Sequence, residues 1–190
     1  MERFFDLVLP ATVSTLDLRE ILDENKLLHL HPHWFVDQSE QRDNTLFVTL
    51  RDYATDQEFS MGLHLDDSSA QDDPEDCEVF LRVTIFDFGI RELLFFTSGD
   101  KTRLRVRYTD EVPDDALEQD ILLWTRAIQE YLRLYTATTP RTLFFRLLMN
   151  KVLLQMNPSQ RKISIMLTKI TVIEVLVILI LVAGYAYFIN

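Results

Sequence analysis

Two periodicities divide most of this chain, and a third stretch has none. From Trp34 to Tyr108 apolar residues recur at every second position. Leu46, Val48 and Leu50 alternate with polar neighbours, then Phe59, Met61, Leu63 and Leu65, then Val79, Leu81, Val83 and Ile85, and last Leu104, Val106 and Tyr108. Period two puts successive side chains on opposite faces of a strand, so each run reads as a strand with one apolar face. Polar breaks separate the runs: Arg42-Asp43-Asn44, Thr55-Asp56-Gln57, a stretch from Asp66 to Glu78 with seven acids in thirteen residues, and Ser98-Gly99-Asp100-Lys101. Such breaks are turns and loops. Short turns between successive strands imply an antiparallel sheet.

The period then changes. Leu117, Ile121, Trp124, Ile128, Tyr131 and Tyr135 follow one another at steps of three and four. That spacing predicts a long helix with one apolar face, opened at Pro113, with Asp114 and Asp115 suited to its positive N-terminal end. Ahead of the sheet, residues 3–11 read as a first strand. A short helix capped by Ser14 or Thr15 follows, then a second from Lys26 to Leu30 that stops before Pro32. The fold class is α+β: about seven antiparallel strands and a long helix whose apolar face needs the sheet.

From Ile163 to Ile189 there is no polar face at either period. Two charges, Lys169 and Glu174, stand in the first half, and Val175 to Ile189 carries none. A helix of roughly 20 apolar residues crosses the ~30 Å hydrocarbon core of a bilayer, so this stretch is expected to be a single transmembrane helix. Arg161 and Lys162 precede it, with Arg141, Arg146 and Lys151 further back, and only Asn190 follows. Positive flanks stay cytoplasmic, which predicts a tail anchor with the globular part in the cytoplasm. The opening residues, broken by Asp6, lack the apolar run of a secretory signal. Cys77 is the single cysteine, which fits a reducing compartment.

Charge sharpens this division. Residues 1–139 hold 29 acids and 13 bases, a net of −16, while residues 140–190 hold 1 acid and 6 bases, a net of +5. The acidic head repels nucleic acid, so that partner class is excluded. The expected organisation is a head over 1–138, a basic amphipathic neck over 139–162 and a span over 163–189. In the neck, Leu143, Phe144, Leu147, Leu148, Val152, Leu153 and Leu154 form a broad apolar face flanked by Arg141, Arg146 and Lys151. Such a helix lies in lipid headgroups or packs on another protein surface.

The order strand, two short helices, six strands and one long helix resembles the helix-grip fold of the START-like, polyketide-cyclase-like (SRPBCC) superfamily. The stretch LPATVSTLDLREILDENKLLHLHPHW is similar to that superfamily's opening, with Pro10-Ala11 at the strand end and His31-Pro32-His33-Trp34 in the later segment. SGDKTRLRVRY before a long helix is similar to its final hairpin. The resemblance spans about residues 1–136. It implies a curved sheet gripping the helix around an apolar cavity that takes lipids, sterols, quinones or polyketides. The cavity candidates here are Phe59, Met61, Leu63, Val83, Phe95, Leu104, Val106, Trp124 and Ile128. The same residues equally serve as plain core. The superfamily has no universal catalytic residue, so none is assigned.

Other chemistry is sparse. His29, His31 and His33 alternate, and imidazoles suit zinc or copper. Pro32 interrupts them, and no cysteine or carboxylate lies at ligand spacing, so surface or gating histidines are the better reading and no metal or cofactor is expected. His64 is expected to be exposed. Arg103, Arg105 and Arg107 alternate on the last strand, either for an acidic partner or paired with acids on neighbouring strands. Glu174 lies roughly 16 Å along the span from Ile163 at about 1.5 Å per residue. An ionisable group at that depth calls for a partner, either another membrane protein or a second copy of this chain. Two functions follow as expectations. One is a membrane-anchored binder of a hydrophobic small molecule such as a lipid, quinone or isoprenoid. The other is a non-catalytic accessory or scaffolding subunit of a membrane complex.

Overall fold

Seven strands form one antiparallel sheet in the order β1-β7-β6-β5-β4-β3-β2 in a computed structural model of the chain. The structure describes residues 1–7, 18–66, 78–98, 101–110 and 114–189, with the backbone alone at 19, 78–80, 97, 98, 101, 186, 188 and 189. The expected cap at Ser14 or Thr15, most of the acidic loop, the centre of the last hairpin turn and Pro113 lie outside the described residues. The strands are β1 (Glu2–Leu7), β2 (Trp34–Arg42), β3 (Thr45–Asp52), β4 (Gln57–Asp66), β5 (Glu78–Phe86), β6 (Ile90–Ser98) and β7 (Lys101–Tyr108). Two short helices, α1 (Leu18–Ile21) and α2 (Glu24–Leu30), stand between β1 and β2, and α3 (Asp115–Arg133) follows β7. Then come α4 (Pro140–Lys151), a 3-10 turn (Leu153–Gln155) and α5 (Pro158–Ile189). Two compact units result, Met1–Gln155 and Met156–Asn190.

Register explains why the inner face is continuous. β2 to β7 meander, and β1 closes beside β7 with Phe5 opposite Leu104. Across the middle of the sheet Leu65 pairs with Val83, Val83 with Leu93, and Leu93 with Val106. A one-residue slip would turn such a row to solvent, so burial of one face fixes the pairing. α3 lays Ile121, Trp124, Ile128, Tyr131 and Leu132 into the same buried cluster. Its start is set close to the sheet: a Cβ on Gly89 would come within 2.5 Å of Leu117 Cδ2. Arg3 on β1 pairs with Glu118 on α3. The helix ends at Arg133, two residues before Tyr135, which the spacing had placed inside it.

Three tight turns rest on aspartates. Asp43, Asp56 and Asp87 all adopt positive φ, a region that Asp tolerates better than most residues. Asp52 closes the β3–β4 turn, accepting from the Ala54 N–H at 2.8 Å and the Thr55 hydroxyl at 2.9 Å. The outer face departs from simple alternation. Leu94 and Phe96 point away from the inner face, yet both are buried. Each sits opposite an arginine of β7, Leu94 facing Arg105 and Phe96 facing Arg103. Arginine stems cover apolar surface while their charged heads find acids. Arg103 pairs with Asp6 at 2.9 Å, Arg107 with Glu2 at 2.7 Å and with Glu92 at 2.8 Å, and Arg105 stands over the Phe96 ring. The arginine stripe is therefore engaged within the sheet.

Candidate functional site

Eight of the nine cavity candidates are fully enclosed: Met61, Leu63, Val83, Phe95, Leu104, Val106, Trp124 and Ile128. Phe59 is partly buried and packs against the same cluster. The strands bring them together because each stands on the inward parity of its strand, and α3 adds Trp124 and Ile128 from above. A wall of aromatic rings fills one part of this interior. Trp34 lies 5.2 Å from Trp124, 5.4 Å from Phe59 and 5.3 Å from Phe88, and Phe59 stacks on Phe88 at 5.3 Å. Trp124 is held by its indole N–H, which donates to Leu27 O at 2.7 Å. Phe88 and Trp34 extend the set beyond the nine candidates. A separate surface groove of about 330 Å³, lined by Gln38, Glu40, Phe47, Thr49, Ser60 and Asp87 among others, shares only Met61 with the nine.

The three histidines separate. His29 sits in α2 with Nδ1 2.7 Å from Asn25 O. His31 is the α2 C-cap and is completely buried, in place of the surface position expected for it. Its ring stacks on Trp34 at 3.8 Å. Nδ1 accepts from the His33 N–H at 3.3 Å, which leaves Nε2–H to donate to Asp120 O at 3.3 Å, with the Asp120 carboxylate at 4.0 Å. Burial raises the Asp120 pKa, the nearby Asp52 charge raises it further, and His33 opposes both. This is a His–carboxylate pair, but a substrate has no route to an imidazole at 0% exposure. Among the described residues no cluster of three or more His, Cys, Asp or Glu is arranged to hold a metal. His64 is half-buried, with Nδ1 2.7 Å from Asn44 O.

Tyr108 lies on the inward face of β7, and its hydroxyl is enclosed with no hydrogen-bond partner among the described residues. Buried guanidinium nitrogens of Arg51 and Arg82 lack one too, but they lie in ion pairs with Asp56 and Glu92. The Tyr108 phenol has no such pairing. Burial raises the Tyr108 pKa, and the Arg3 charge works against that. A buried hydroxyl left unanswered costs about 1–3 kcal/mol. Tyr131 presents the contrast: its hydroxyl donates to Asn150 Oδ1 at 2.7 Å and stands 3.0 Å from the Tyr135 hydroxyl.

α4 is built inside out. Thr139 caps it in a reciprocal arrangement with Thr142, and Pro140 occupies its first turn. Thr142, Arg146 and Asn150 recur every fourth residue and share one face. That face meets the head. Arg146 donates from Nε to Leu134 O at 2.8 Å and from Nη2 to Ala137 O at 2.9 Å, and its guanidinium lies 4.6 Å from the centre of the Tyr135 ring. It thereby answers a carbonyl at the α3 C-cap and one just beyond, where a helix end leaves acceptors open. Asn150 donates to the Tyr135 hydroxyl at 3.1 Å. Leu143, Phe144 and Leu147 are exposed at 51%, 59% and 63%. Arg141 and Lys151 are exposed too, with Arg141 over the Phe145 ring. The sequence displayed both faces, but spacing alone did not say which one would meet the protein.

In the second unit, residues 158–185 form one helix long and apolar enough to cross a membrane. Arg161 and Lys162 stand in its first turns, with Arg161 Nε donating to Met156 O at 2.8 Å. Glu174 is exposed along the helix. Thr168 and Thr171 turn their hydroxyls back onto Ser164 O and Leu167 O.

No protein-family model and no curated protein sequence matches the chain. Among solved structures it is similar to the solution structure of Chr148 from Cytophaga hutchinsonii, with 17% identity over 69% of this chain and 88% of that one and a TM-score of 0.38.

Proposed function

We propose that this is a single-pass membrane protein whose cytoplasmic head binds one hydrophobic small molecule between the sheet and α3, for presentation or transfer at the membrane surface. A lipid, a quinone or an isoprenoid-like compound has the required chemistry: a large apolar body with a single polar group. The observation that carries the reading is the Tyr108 hydroxyl, enclosed and without a hydrogen-bond partner among the described residues, on a side chain that belongs to the buried apolar cluster. Ligand sites of this class combine apolar walls with a few placed polar groups. The meander with β1 beside β7 and α3 on the inner face supports a helix-grip domain of the START-like kind. An anchor keeps such a pocket beside the source of an insoluble ligand, which raises effective concentration without new contacts.

A second reading has its own observations. The rings of Trp34, Phe59, Phe88 and Trp124 pack on one another, and Glu174 stands within the span. Both suit an accessory subunit with a closed core and a partner in the membrane. Native mass spectrometry with lipid extraction on the full chain in mild detergent separates the two. A stoichiometric apolar molecule, reduced in occupancy by Tyr108→Phe, is the expected result. An empty chain that retains partner subunits, and loses them with Glu174→Leu, overturns the binder in favour of the scaffold.

A further inference from the structure

We infer that the outward face of α4, formed by Leu143, Phe144 and Leu147, is a docking surface for the lipid bilayer, held in that orientation by Arg146 and Asn150. The inference rests on the proposed function only in taking α5 as a membrane span. It does not depend on what the interior binds.

Orientation is the first argument. A helix on a soluble protein turns its apolar side inward and its polar side to water. α4 packs Met149 against the core but otherwise does the reverse. Its outward side carries Leu143, Phe144 and Leu147, each more than half exposed. Its inward side is fixed by hydrogen bonds, Arg146 to Leu134 O and Ala137 O and Asn150 to the hydroxyls of Tyr131 and Tyr135. Rotating the helix to hide the three apolar residues would break all four. The exposure is therefore specified by the polar side, and it needs an apolar medium on the other side.

The chain itself indicates which medium. Six residues, 152–157, separate α4 from α5. Even fully extended they reach only about 20 Å. A helix tethered that closely to a span lies within reach of the interface. Charge points the same way. α4 contains no acid, and its exposed bases, Arg141 and Lys151, flank the apolar patch as headgroup contacts. The rest of the head is strongly acidic and is repelled by anionic lipid. α4 is thus the part of the head suited to touch the membrane, and Arg146 contributes by aiming the patch instead of by meeting headgroups.

The test uses the full chain in vesicles of phosphatidylcholine with a minor share of phosphatidylglycerol, prepared with bromines at defined depths on the acyl chains. Trp34 and Trp124 are 1% exposed, so neither meets lipid. Phe144→Trp places a reporter on the patch, and Phe47→Trp places one on the outer face of the sheet as a control. Flotation comes first: a chain that fails to float with the vesicles overturns the span and this inference together. In a floating chain, emission from Phe144→Trp is expected to fall, most strongly for bromines nearest the headgroups, about 5–10 Å in, where interfacial helices lie. Emission from Phe47→Trp is expected to stay constant. An unquenched Phe144→Trp in a floating chain overturns the docking surface and leaves the span intact. A blue-shifted, unquenched emission that depends on protein density also overturns it, because a second copy then covers the patch. Combining Phe144→Trp with Asn150→Leu is expected to weaken the quenching, and an unchanged depth profile there removes the orienting role.

Discussion

α3 and α4 are neighbours in sequence and opposites in design. α3 buries Ile121, Trp124 and Ile128 and turns Arg126, Glu130 and Arg133 to water. α4 turns Arg146 and Asn150 inward and leaves Leu143, Phe144 and Leu147 outside. The first arrangement is driven by removing apolar area from water, which is non-directional and large. The second is set by directional hydrogen bonds to the end of α3 and to two tyrosine hydroxyls. The difference shows that an apolar stripe identifies the side of a helix that seeks an apolar medium. That medium need not be the protein's own core.

The most severe way to probe this contrast is to truncate one aromatic on each helix. Trp124→Ala empties the centre of the aromatic wall and frees Leu27 O, a loss of about 3–5 kcal/mol for a buried aromatic. Phe144→Ala removes a smaller aromatic ring from an exposed face and is expected to fall within about 0.5 kcal/mol. Urea unfolding of the detergent-solubilised chain, followed by tryptophan fluorescence (Trp34 alone in the first variant, Trp34 and Trp124 in the second), reads both. Equal losses would mean that Phe144 is packed in solution and that α4 is not inside out.

The next effect in size concerns the polar side of α4. Asn150→Leu leaves the Tyr131 hydroxyl without its acceptor and the Tyr135 hydroxyl without its donor. Losing such partners in a buried site costs about 1–3 kcal/mol. The loss is expected to be local. Hydrogen exchange of residues 140–151 should accelerate well before that of β5–β7. Uniform acceleration through the sheet would show that α4 is part of the global unfolding unit, so that the two helices differ less than their packing suggests.

Much of this architecture was legible in the chain, for a physical reason. Period two in Leu46-Val48-Leu50 or Met61-Leu63-Leu65 has one good solution, a strand with a single buried face. The long period-3.6 run gave α3 and its inner face, and the uninterrupted apolar stretch gave α5. The failures were of direction and of long-range packing. In α4 the spacing showed two unlike faces, and the fourfold recurrence of Thr142, Arg146 and Asn150 was visible. What it bonds to depends on where α3 ends. The buried His31 was hidden because its enclosure depends on Trp34 and on Asp120, 89 residues away. The adjoining apolar residues Leu93 to Phe96 broke the alternation because arginine stems from neighbouring strands cover the outer face.

Two tyrosines carry the comparison into the interior at a smaller scale. Tyr131 is answered by α4, whereas Tyr108 is not answered by any described residue. The answered phenol is held protonated, with burial the main cause and the bond to Tyr135 adding to it. Tyr131→Phe is expected to cost about 1 kcal/mol, the net worth of a typical hydrogen bond. Tyr108→Phe in delipidated protein is expected to cost nothing or to stabilise slightly, because it removes an unsatisfied group. Thermal unfolding of both variants, before and after lipid extraction, tests the pair. If Tyr108→Phe destabilises the extracted chain as much as Tyr131→Phe does, the hydroxyl already has a partner, and the ligand reading loses its main support.

The smallest effect belongs to the one acid of α3 beside the buried histidine. Asp120 is about one-third exposed, and its pKa is raised chiefly by burial and then by the Asp52 charge. A carboxyl with a higher pKa in the fold than in the unfolded chain binds its proton more readily when folded. Its ionised form therefore works against the fold at neutral pH, and that penalty is relieved as pH falls through the raised value towards the ordinary aspartate value of about 3.9. Asp120→Asn keeps the backbone carbonyl that His31 uses and removes the charge. At pH 7 the variant is expected to be slightly more stable than the parent, and the gap should close towards pH 4. Comparing the two unfolding midpoints at each pH cancels the titration of the other acids. A gap that widens on acidification would mean that the Asp120 carboxylate is stabilised by His33 more strongly than burial and Asp52 oppose it, making that contact attractive at the edge of α3. α4, which has no acid, offers no counterpart to that titration.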